Sequence, residues 1–242
     1  MRNKGRRYSY TDQKSQQHRL RWVILGIAAV IFIYISLTSV VFSMGVLENE
    51  TMSPNLRAGE RFIFSSYNIY SIIPGLTRDT EDLPFNRGNI VLVEMHKNEN
   101  PGLFRWILDG IVRVFTAQRV SLIGSKENLF MKRVIGLPGD EISMTNYIVR
   151  VRVKGNAYTL TEFEVTEQDY TPEIPQMPAL WDASLPFSGN METIILGENE
   201  VFVLSDDRSN TNDSRTWGPV NVGNIAGKAL FRYWPLNRLG RP

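Results

Sequence analysis

The sequence of 242 residues contains no cysteine and only two histidines, His18 and His96. Without cysteine the chain can form no disulfide framework, no thiol nucleophile and no Cys-ligated zinc site. A zinc site would depend mainly on carboxylates, and nothing around His96 indicates a Ser-His-Asp triad. We therefore expect chemistry that needs neither a metal nor a cofactor.

A strong net charge is also missing. The chain carries +2, from 27 Lys and Arg against 25 Asp and Glu, which gives no reason to expect nucleic acid as a partner. The charge is uneven, however, because a single acidic residue, Asp12, stands against seven basic residues before Trp22. Those seven are Arg2, Lys4, Arg6, Arg7, Lys14, Arg19 and Arg21.

The sequence does contain a long apolar stretch without any charged residue, residues 22–47. As a helix it would rise roughly 39 Å at ~1.5 Å per residue, enough to cross a bilayer. The apolar core of a cleaved signal peptide is shorter, about 7 to 15 residues, so we predict an uncleaved transmembrane anchor. Because basic flanks stay in the cytoplasm, residues 1–21 would form a basic cytoplasmic tail and residues 48–242 an exported domain.

Residues 131–140, M-K-R-V-I-G-L-P-G-D, place Lys132 in an apolar run that ends in a Pro-Gly-Asp turn. If its ammonium is buried without a partner, the pKa falls and the neutral amine can take a proton from a hydroxyl. The alternative is a lysine whose stem lies on a sheet while its head reaches water. We call residues 131–140 the lysine motif.

Two further segments contain residues with which such a lysine could act. The nucleophile motif, residues 48–56 (E-N-E-T-M-S-P-N-L), follows the apolar stretch. The Asp-Arg motif, residues 205–220 (S-D-D-R-S-N-T-N-D-S-R-T-W-G-P-V), follows a predicted strand at 201–204. Residues 48–56, 132–140 and 201–236 resemble, in this order, the motifs of bacterial type I signal peptidases, membrane-anchored serine proteases that use a Ser-Lys pair.

The resemblance implies that Thr51 is the nucleophile. The family pattern is Ser-Met-x-Pro-Thr-Leu, and Met52, Pro54 and Leu56 align Thr51 with its serine. A threonine hydroxyl can act as a nucleophile when an amine activates it, although the methyl group of threonine crowds the attack. Ser53 is the rival nucleophile, but in an extended segment it would lie about 6.5 to 7 Å farther along the same face.

The resemblance also implies two polar helpers. Asn49 falls where the family often has an oxyanion-binding hydroxyl, and its amide could act together with the backbone N–H of Thr51. Thr211 falls where the family has the hydroxyl that hydrogen-bonds and orients the catalytic lysine, here Lys132.

Charged residues of the Asp-Arg motif would support the site. Asp213 and Arg215 are expected to form a charge-assisted ion pair that holds the loop under the lysine. Asp206 and Arg208 are expected to form a second pair. Ser205 replaces the glycine of the family pattern, and a positive φ at this position would strain it.

The expected fold is mostly β, a signal peptidase I-like catalytic domain with one N-terminal transmembrane helix. The domain would include an insert at about residues 97–127 and a variable β subdomain at about 141–200. Apolar spacing within residues 103–123 predicts a helix that either lies in the membrane surface or packs on the domain. Strands are predicted at residues 61–64, 89–93, 141–144, 147–153, 158–165 and 225–236.

Together these expectations describe a signal peptidase I that cleaves signal peptides from exported precursor proteins after small residues, with Thr51 as nucleophile and Lys132 as base. It would span the bacterial inner membrane once, with its N-terminus in the cytoplasm and its catalytic domain on the periplasmic side. The lipid bilayer and the export machinery are further expected contacts. The alternatives are a weakened or inactive relative that binds precursors, and a specialised protease with few substrates.

Overall fold

The computed structural model describes residues 18–30, 32, 42–66, 83–95, 112, 129–175 and 189–242. Apart from residue 112, the predicted insert at residues 97–127 lies outside the described residues, and His96 does so as well.

Near the N-terminus, residues 18–30 and 32 are helical and their side chains are exposed. No helix among the described residues is both long and apolar enough to cross a membrane. The predicted C-terminal end of the helix is wrong, because Phe42–Val46 forms strand β1, which pairs antiparallel with strand β2, Arg61–Ser66. A short apolar run fits a strand as well as a helix, and the choice depends on whether a neighbouring strand pairs with its backbone.

The described strands form two antiparallel sheets. Besides β1 and β2, the strands are β3 Ile90–Glu94, β4 Leu129–Gly136, β5 Glu141–Thr145, β6 Ile148–Arg152, β7 Leu160–Thr161, β8 Met191–Ile195, β9 Glu200–Leu204, β10 Val220–Asn221 and β11 Ile225–Trp234. The larger sheet has seven strands in the order β1-β2-β11-β3-β4-β9-β10, and the smaller has four in the order β7-β6-β5-β8. Short helices cover Glu162–Val165 and Ser214–Trp217, and 3-10 turns cover Val222–Asn224 and Leu236–Arg238.

The mostly β prediction is confirmed, with one local exception. The predicted strand at residues 158–165 is a strand only at Leu160–Thr161, and it continues as the helix Glu162–Val165. The backbone N–H and the hydroxyl of Thr161 both donate to the carboxylate of Glu164, at 2.7 and 2.8 Å. This arrangement satisfies groups at the first turn and favours a helix start over further strand.

The core places two of the motifs side by side. Met52 of the nucleophile motif and Met131 of the lysine motif are both buried in one apolar cluster, beneath strands β2, β3 and β4. Neighbouring residues along a strand point to opposite faces, so burial of Met131 turns Lys132 to the other face of the sheet. That face carries the valine-rich cluster with Val91, Val134 and Val203.

Candidate active site

Lys132 lies in strand β4 opposite Val91 of strand β3, and its side chain is 0% exposed. The alternative in which the ammonium reaches water is therefore excluded. Burial disfavours the charged form and lowers the pKa of Lys132 from 10.5 to about 8, even though Asp213 favours the ammonium. At pH 7 roughly one amine in ten would be neutral at such a pKa, and that form can accept a proton.

Strand pairing determines the hydroxyl that contacts this amine. Strand β4 pairs with strand β9 with Arg133 opposite Leu204, so the next residues along, Lys132 and Ser205, face each other on the same side of the sheet. The Nζ atom of Lys132 donates to Oγ of Ser205 at 2.8 Å, and Ser205 is 0% exposed as well.

Thr211 does not occupy the position that the resemblance implies. Among the described residues, the hydrogen-bond partner of the Lys132 amine is Ser205, while Thr211 lies half-buried in the loop beyond it. The backbone oxygen of Thr211 instead accepts a hydrogen bond from the Thr216 hydroxyl at 2.5 Å. The expected strain at Ser205 is also absent, because the described non-glycine residues with positive φ are Asn146 and Tyr147.

Thr51 lies in the turn between strands β1 and β2 and is 6% exposed. Its backbone oxygen accepts a hydrogen bond from the N–H of Asp207 at 3.1 Å, which joins the nucleophile motif to the loop that begins at Ser205. Its hydroxyl donates to Oδ1 of Asn49 at 2.9 Å. Within the described part of the chain, no hydrogen bond joins this hydroxyl to Lys132.

Ser53, the rival nucleophile, has a different partner. Its hydroxyl donates to Oε2 of Glu173 at 3.0 Å. The backbone of Glu173 forms a parallel bridge with Asp207. A carboxylate rather than an amine therefore contacts the Ser53 hydroxyl.

The ion pair predicted between Asp213 and Arg215 is present. Arg215 donates from Nε to Oδ1 at 2.9 Å and from Nη2 to Oδ2 at 2.7 Å. The same carboxylate accepts the backbone N–H of Ser205 at 2.9 Å, and Arg215 also donates from Nη1 to the backbone oxygen of Arg208 at 2.8 Å. The pair thus fixes the backbone of the residue that contacts Lys132.

The second predicted pair, Asp206 with Arg208, is wrong, because each residue has another partner. Asp206 accepts two hydrogen bonds from Arg133, at 2.7 and 2.6 Å, and one from Nδ2 of Asn55 at 2.8 Å. Arg208 pairs instead with Glu162 at 2.5 Å, and both side chains are 0% exposed. Arg133 comes from strand β4, Asn55 from the turn after Thr51 and Glu162 from the short helix Glu162–Val165, so no local sequence pattern could identify these partners.

Tyr170 connects these two buried pairs. Its hydroxyl donates to Glu162, and the guanidinium of Arg133 lies 4.1 Å from the centre of its ring. Burial, together with the nearby Glu162 carboxylate, raises the pKa of Tyr170 well above its usual range. The sequence reasoning missed Ser205, Glu162 and Asn55 as partners in the site, and only the register of β4 with β9 could have pointed to Ser205.

The described residues include no group of three or more His, Cys, Asp or Glu side chains arranged to hold a metal ion. The arrangement contains a buried amine of lowered pKa, a hydroxyl fixed against it, and a second hydroxyl in an adjoining turn. These are the parts of a nucleophile-and-base site of the kind that hydrolyses acyl bonds.

Comparison with known proteins agrees with this chemistry. The family model described as signal peptidase, peptidase S26, matches residues 19–234. The chain is 27% identical over 215 residues to signal peptidase I of Leptolyngbya laminosa, covering 84% of this chain and 78% of the relative. It is 24% identical over 220 residues to signal peptidase IB of Staphylococcus aureus, covering 90% and 91%.

A third relative matches over a shorter region. The chain is 33% identical over 112 residues to the "Probable signal peptidase I-1" of Synechocystis sp., and the match spans 46% of each protein. Because the family model covers most of the sequence, including all three motifs, the chain belongs to the signal peptidase family, peptidase S26.

Proposed function

We propose that this protein is a membrane-bound signal peptidase I that cleaves signal peptides from exported precursor proteins after small residues. The observation that carries the proposal is the buried amine of Lys132, with a pKa of about 8, in contact with Ser205, which begins the loop that is hydrogen-bonded through Asp207 to the backbone of Thr51. Membership of the signal peptidase family supplies the substrate class.

In the proposed mechanism the neutral amine of Lys132 takes the hydroxyl proton of Thr51 as Oγ1 attacks the scissile carbonyl carbon. The backbone N–H of Thr51 and the side-chain amide of Asn49 stabilise the oxyanion. The C–N bond breaks as the Lys132 ammonium gives its proton to the leaving amine, and an ester remains on Thr51. Lys132 then deprotonates a water molecule, which hydrolyses the ester and restores the Thr51 hydroxyl.

The reaction requires Thr51 to turn away from its resting partner. Its hydroxyl donates to Asn49 at 2.9 Å, so rotation about χ1 must direct it to Lys132 before the proton can move. Exchange of one neutral hydrogen bond for another costs about 1 kcal/mol or less. The same rotation releases the Asn49 side chain, which can then turn its amide towards the oxyanion.

The contact between Thr51 and Asn49 also favours a second candidate, a catalytically weak or inactive relative that binds precursors. If the hydroxyl stayed on Asn49, Lys132 would have no nucleophile to activate. Cleavage would then be lost, while the protein could still bind a signal peptide.

Cleavage of a precursor peptide whose signal ends in Ala-x-Ala distinguishes these candidates. The assay compares the parent with Thr51→Ala, Thr51→Ser, Ser53→Ala and Lys132→Ala in one detergent. We expect loss of cleavage in Thr51→Ala and Lys132→Ala, retention in Ser53→Ala, and equal or faster cleavage in Thr51→Ser. An inactive parent that Thr51→Ser restores would identify the binding relative, and loss in Ser53→Ala alone would refute Thr51 as the nucleophile.

An exposed apolar face supports the proposed position against the bilayer. Strand pairing aligns Met44, Ile63 and Phe231 across β1, β2 and β11, and it aligns Val46 with Trp234 through Arg61. Apart from Ile63, which is half-buried, these apolar side chains are 40% to 51% exposed.

Tryptophan favours the membrane interface, where its ring is apolar and its N–H remains hydrated. In vesicles that contain brominated lipid, Trp234→Phe should therefore remove part of the tryptophan quenching. The control Trp217→Phe, which changes a half-buried residue beside Lys132, should leave the quenched component unchanged. Quenching that Trp234→Phe does not alter would contradict the proposed membrane face.

A further inference from the structure

Ser205 stands where the signal peptidase pattern has a glycine, and it is the residue whose hydroxyl meets the buried amine. We propose that Ser205 is a positioning residue, whose hydroxyl orients the amine of Lys132 towards Thr51 in the role that the resemblance assigns to Thr211. The proposal deepens the proposed function and rests on it for its kinetic readout.

The position of Ser205 is determined from two directions. On one side, the pairing of β4 with β9 places it opposite Lys132. On the other, its backbone N–H donates to Oδ2 of Asp213 at 2.9 Å, and Arg215 holds that carboxylate through two hydrogen bonds. With its backbone fixed in this way, the Ser205 hydroxyl can move mainly by rotation about χ1.

The hydroxyl acts on Lys132 rather than on substrate. A neutral amine has two N–H groups and one lone pair, and Ser205 accepts one N–H at 2.8 Å. That contact restricts rotation of the amine, so the direction of the lone pair is restricted too. Trp217 further limits the space, because its ring centre lies 5.7 Å from Nζ. Ser205 itself is 0% exposed, so a peptide carbonyl cannot reach it as it would reach a nucleophile.

The hydroxyl also affects the two protonation states of Lys132 differently. As a hydrogen-bond acceptor, it stabilises the ammonium that forms during catalysis more than it stabilises the neutral amine. Removal of the hydroxyl should therefore lower the pKa of Lys132 further, in addition to loosening the amine. A purely structural role for Ser205 predicts neither effect.

The test compares Ser205→Ala and Ser205→Gly with Thr211→Val in cleavage of the Ala-x-Ala precursor peptide. For both Ser205 variants we expect kcat to fall on the order of tenfold or more, with little change in KM, because a misoriented base impairs chemistry more than binding. The acidic limb of kcat/KM should also move to lower pH. Thr211→Val should keep kcat within about twofold and leave the limb in place. Ser205→Gly places the glycine of the family pattern at this position, and it provides the test if the alanine variant does not fold.

Unchanged kcat and pH profile in the Ser205 variants would overturn the proposal, and so would a loss and a shift confined to Thr211→Val. If the parent protein cleaves no precursor, the proposed function fails, and the contact between Ser205 and Lys132 is then tested by itself. The ¹³Cε signal of Lys132, assigned by its loss in Lys132→Arg, is then titrated in the parent and in Ser205→Ala. A lower pKa in the variant supports the role of Ser205, and an equal pKa refutes it.

Discussion

Replacement of Lys132 by methionine should abolish cleavage and yet make the folded protein more stable at neutral pH. The side chain is fully buried, and its pKa falls from 10.5 to about 8 on folding. A shift of this size corresponds to about 3 kcal/mol of unfavourable burial of the ammonium. Methionine of similar length avoids that cost but loses the hydrogen bond to Ser205, worth about 1 kcal/mol. A net stabilisation of about 2 kcal/mol remains at pH 7.

The stabilisation should decrease as the pH rises. Because folding lowers the pKa of Lys132, the unfolded chain binds a proton between pH 8 and 10.5 that the folded protein releases. The burial cost is therefore present in full below pH 8 and disappears towards pH 10.5. At about pH 9.5 it has fallen to about 1 kcal/mol, so the methionine variant should then be about as stable as the parent.

Thermal unfolding of the parent and Lys132→Met in one detergent, at about pH 7 and pH 9.5, measures this difference. For a domain of this size, about 2 kcal/mol corresponds to roughly 4 to 8 °C in Tm. Lys154→Met is the matched control, because Lys154 is exposed. Its effect on Tm should be the same at both pH values.

The result that would refute this reasoning is a Lys132→Met protein that is less stable than the parent by the same amount at both pH values. Such a protein would indicate that Lys132 contributes packing and hydrogen bonding without any cost for burying its charge. The general-base role would then lack its physical basis, since the amine would be an ordinary ammonium at neutral pH.

Three further predictions concern the pH profile, a buried ion pair and a glycine. Steady-state kcat/KM measured over the alkaline and neutral range should rise with pH and reach half its maximum near pH 8, because Lys132 acts as a base only when neutral. Glu162→Gln should lower the free energy of unfolding by about 3 kcal/mol or more in urea, because Arg208 would remain buried without a counter-charge. Gly227→Ala should disrupt the pairing of β11 with β2, seen as faster amide exchange, because an added Cβ would lie 2.2 Å from the backbone oxygen of Ser65.

Controls for the last two predictions use positions without these constraints. Glu192→Gln changes an exposed carboxylate and should leave the free energy of unfolding within about 0.5 kcal/mol. Gly26→Ala meets no atom within 4 Å and should leave exchange in the sheet unchanged. A Glu162→Gln protein as stable as the parent would show that Arg208 does not need its partner. Unaltered exchange in Gly227→Ala would show that the two strands can separate locally without cost.

Local sequence predicted most of the strands and the ion pair between Asp213 and Arg215. Alternating or apolar runs between turn residues correctly predicted strands such as Glu141–Thr145 and Ile148–Arg152. The ion pair joins residues only two apart, so chain connectivity alone keeps them close. Residues 42–46 show the limit of this reasoning, because an apolar run has the same composition whether it forms a helix or pairs as strand β1.

The sequence by itself determined the motifs, the mostly β class and the presence of a lysine in an apolar run. Tertiary structure decided that this lysine is buried, that Ser205 rather than Thr211 contacts it, and that Arg208 pairs with Glu162. These contacts join residues 73 and 46 positions apart. The first contact depends on the register of β4 with β9, because a shift of one residue would turn Lys132 to the opposite face of the sheet. The second joins the helix Glu162–Val165 to the loop that carries Arg208, and neither residue lies in a strand.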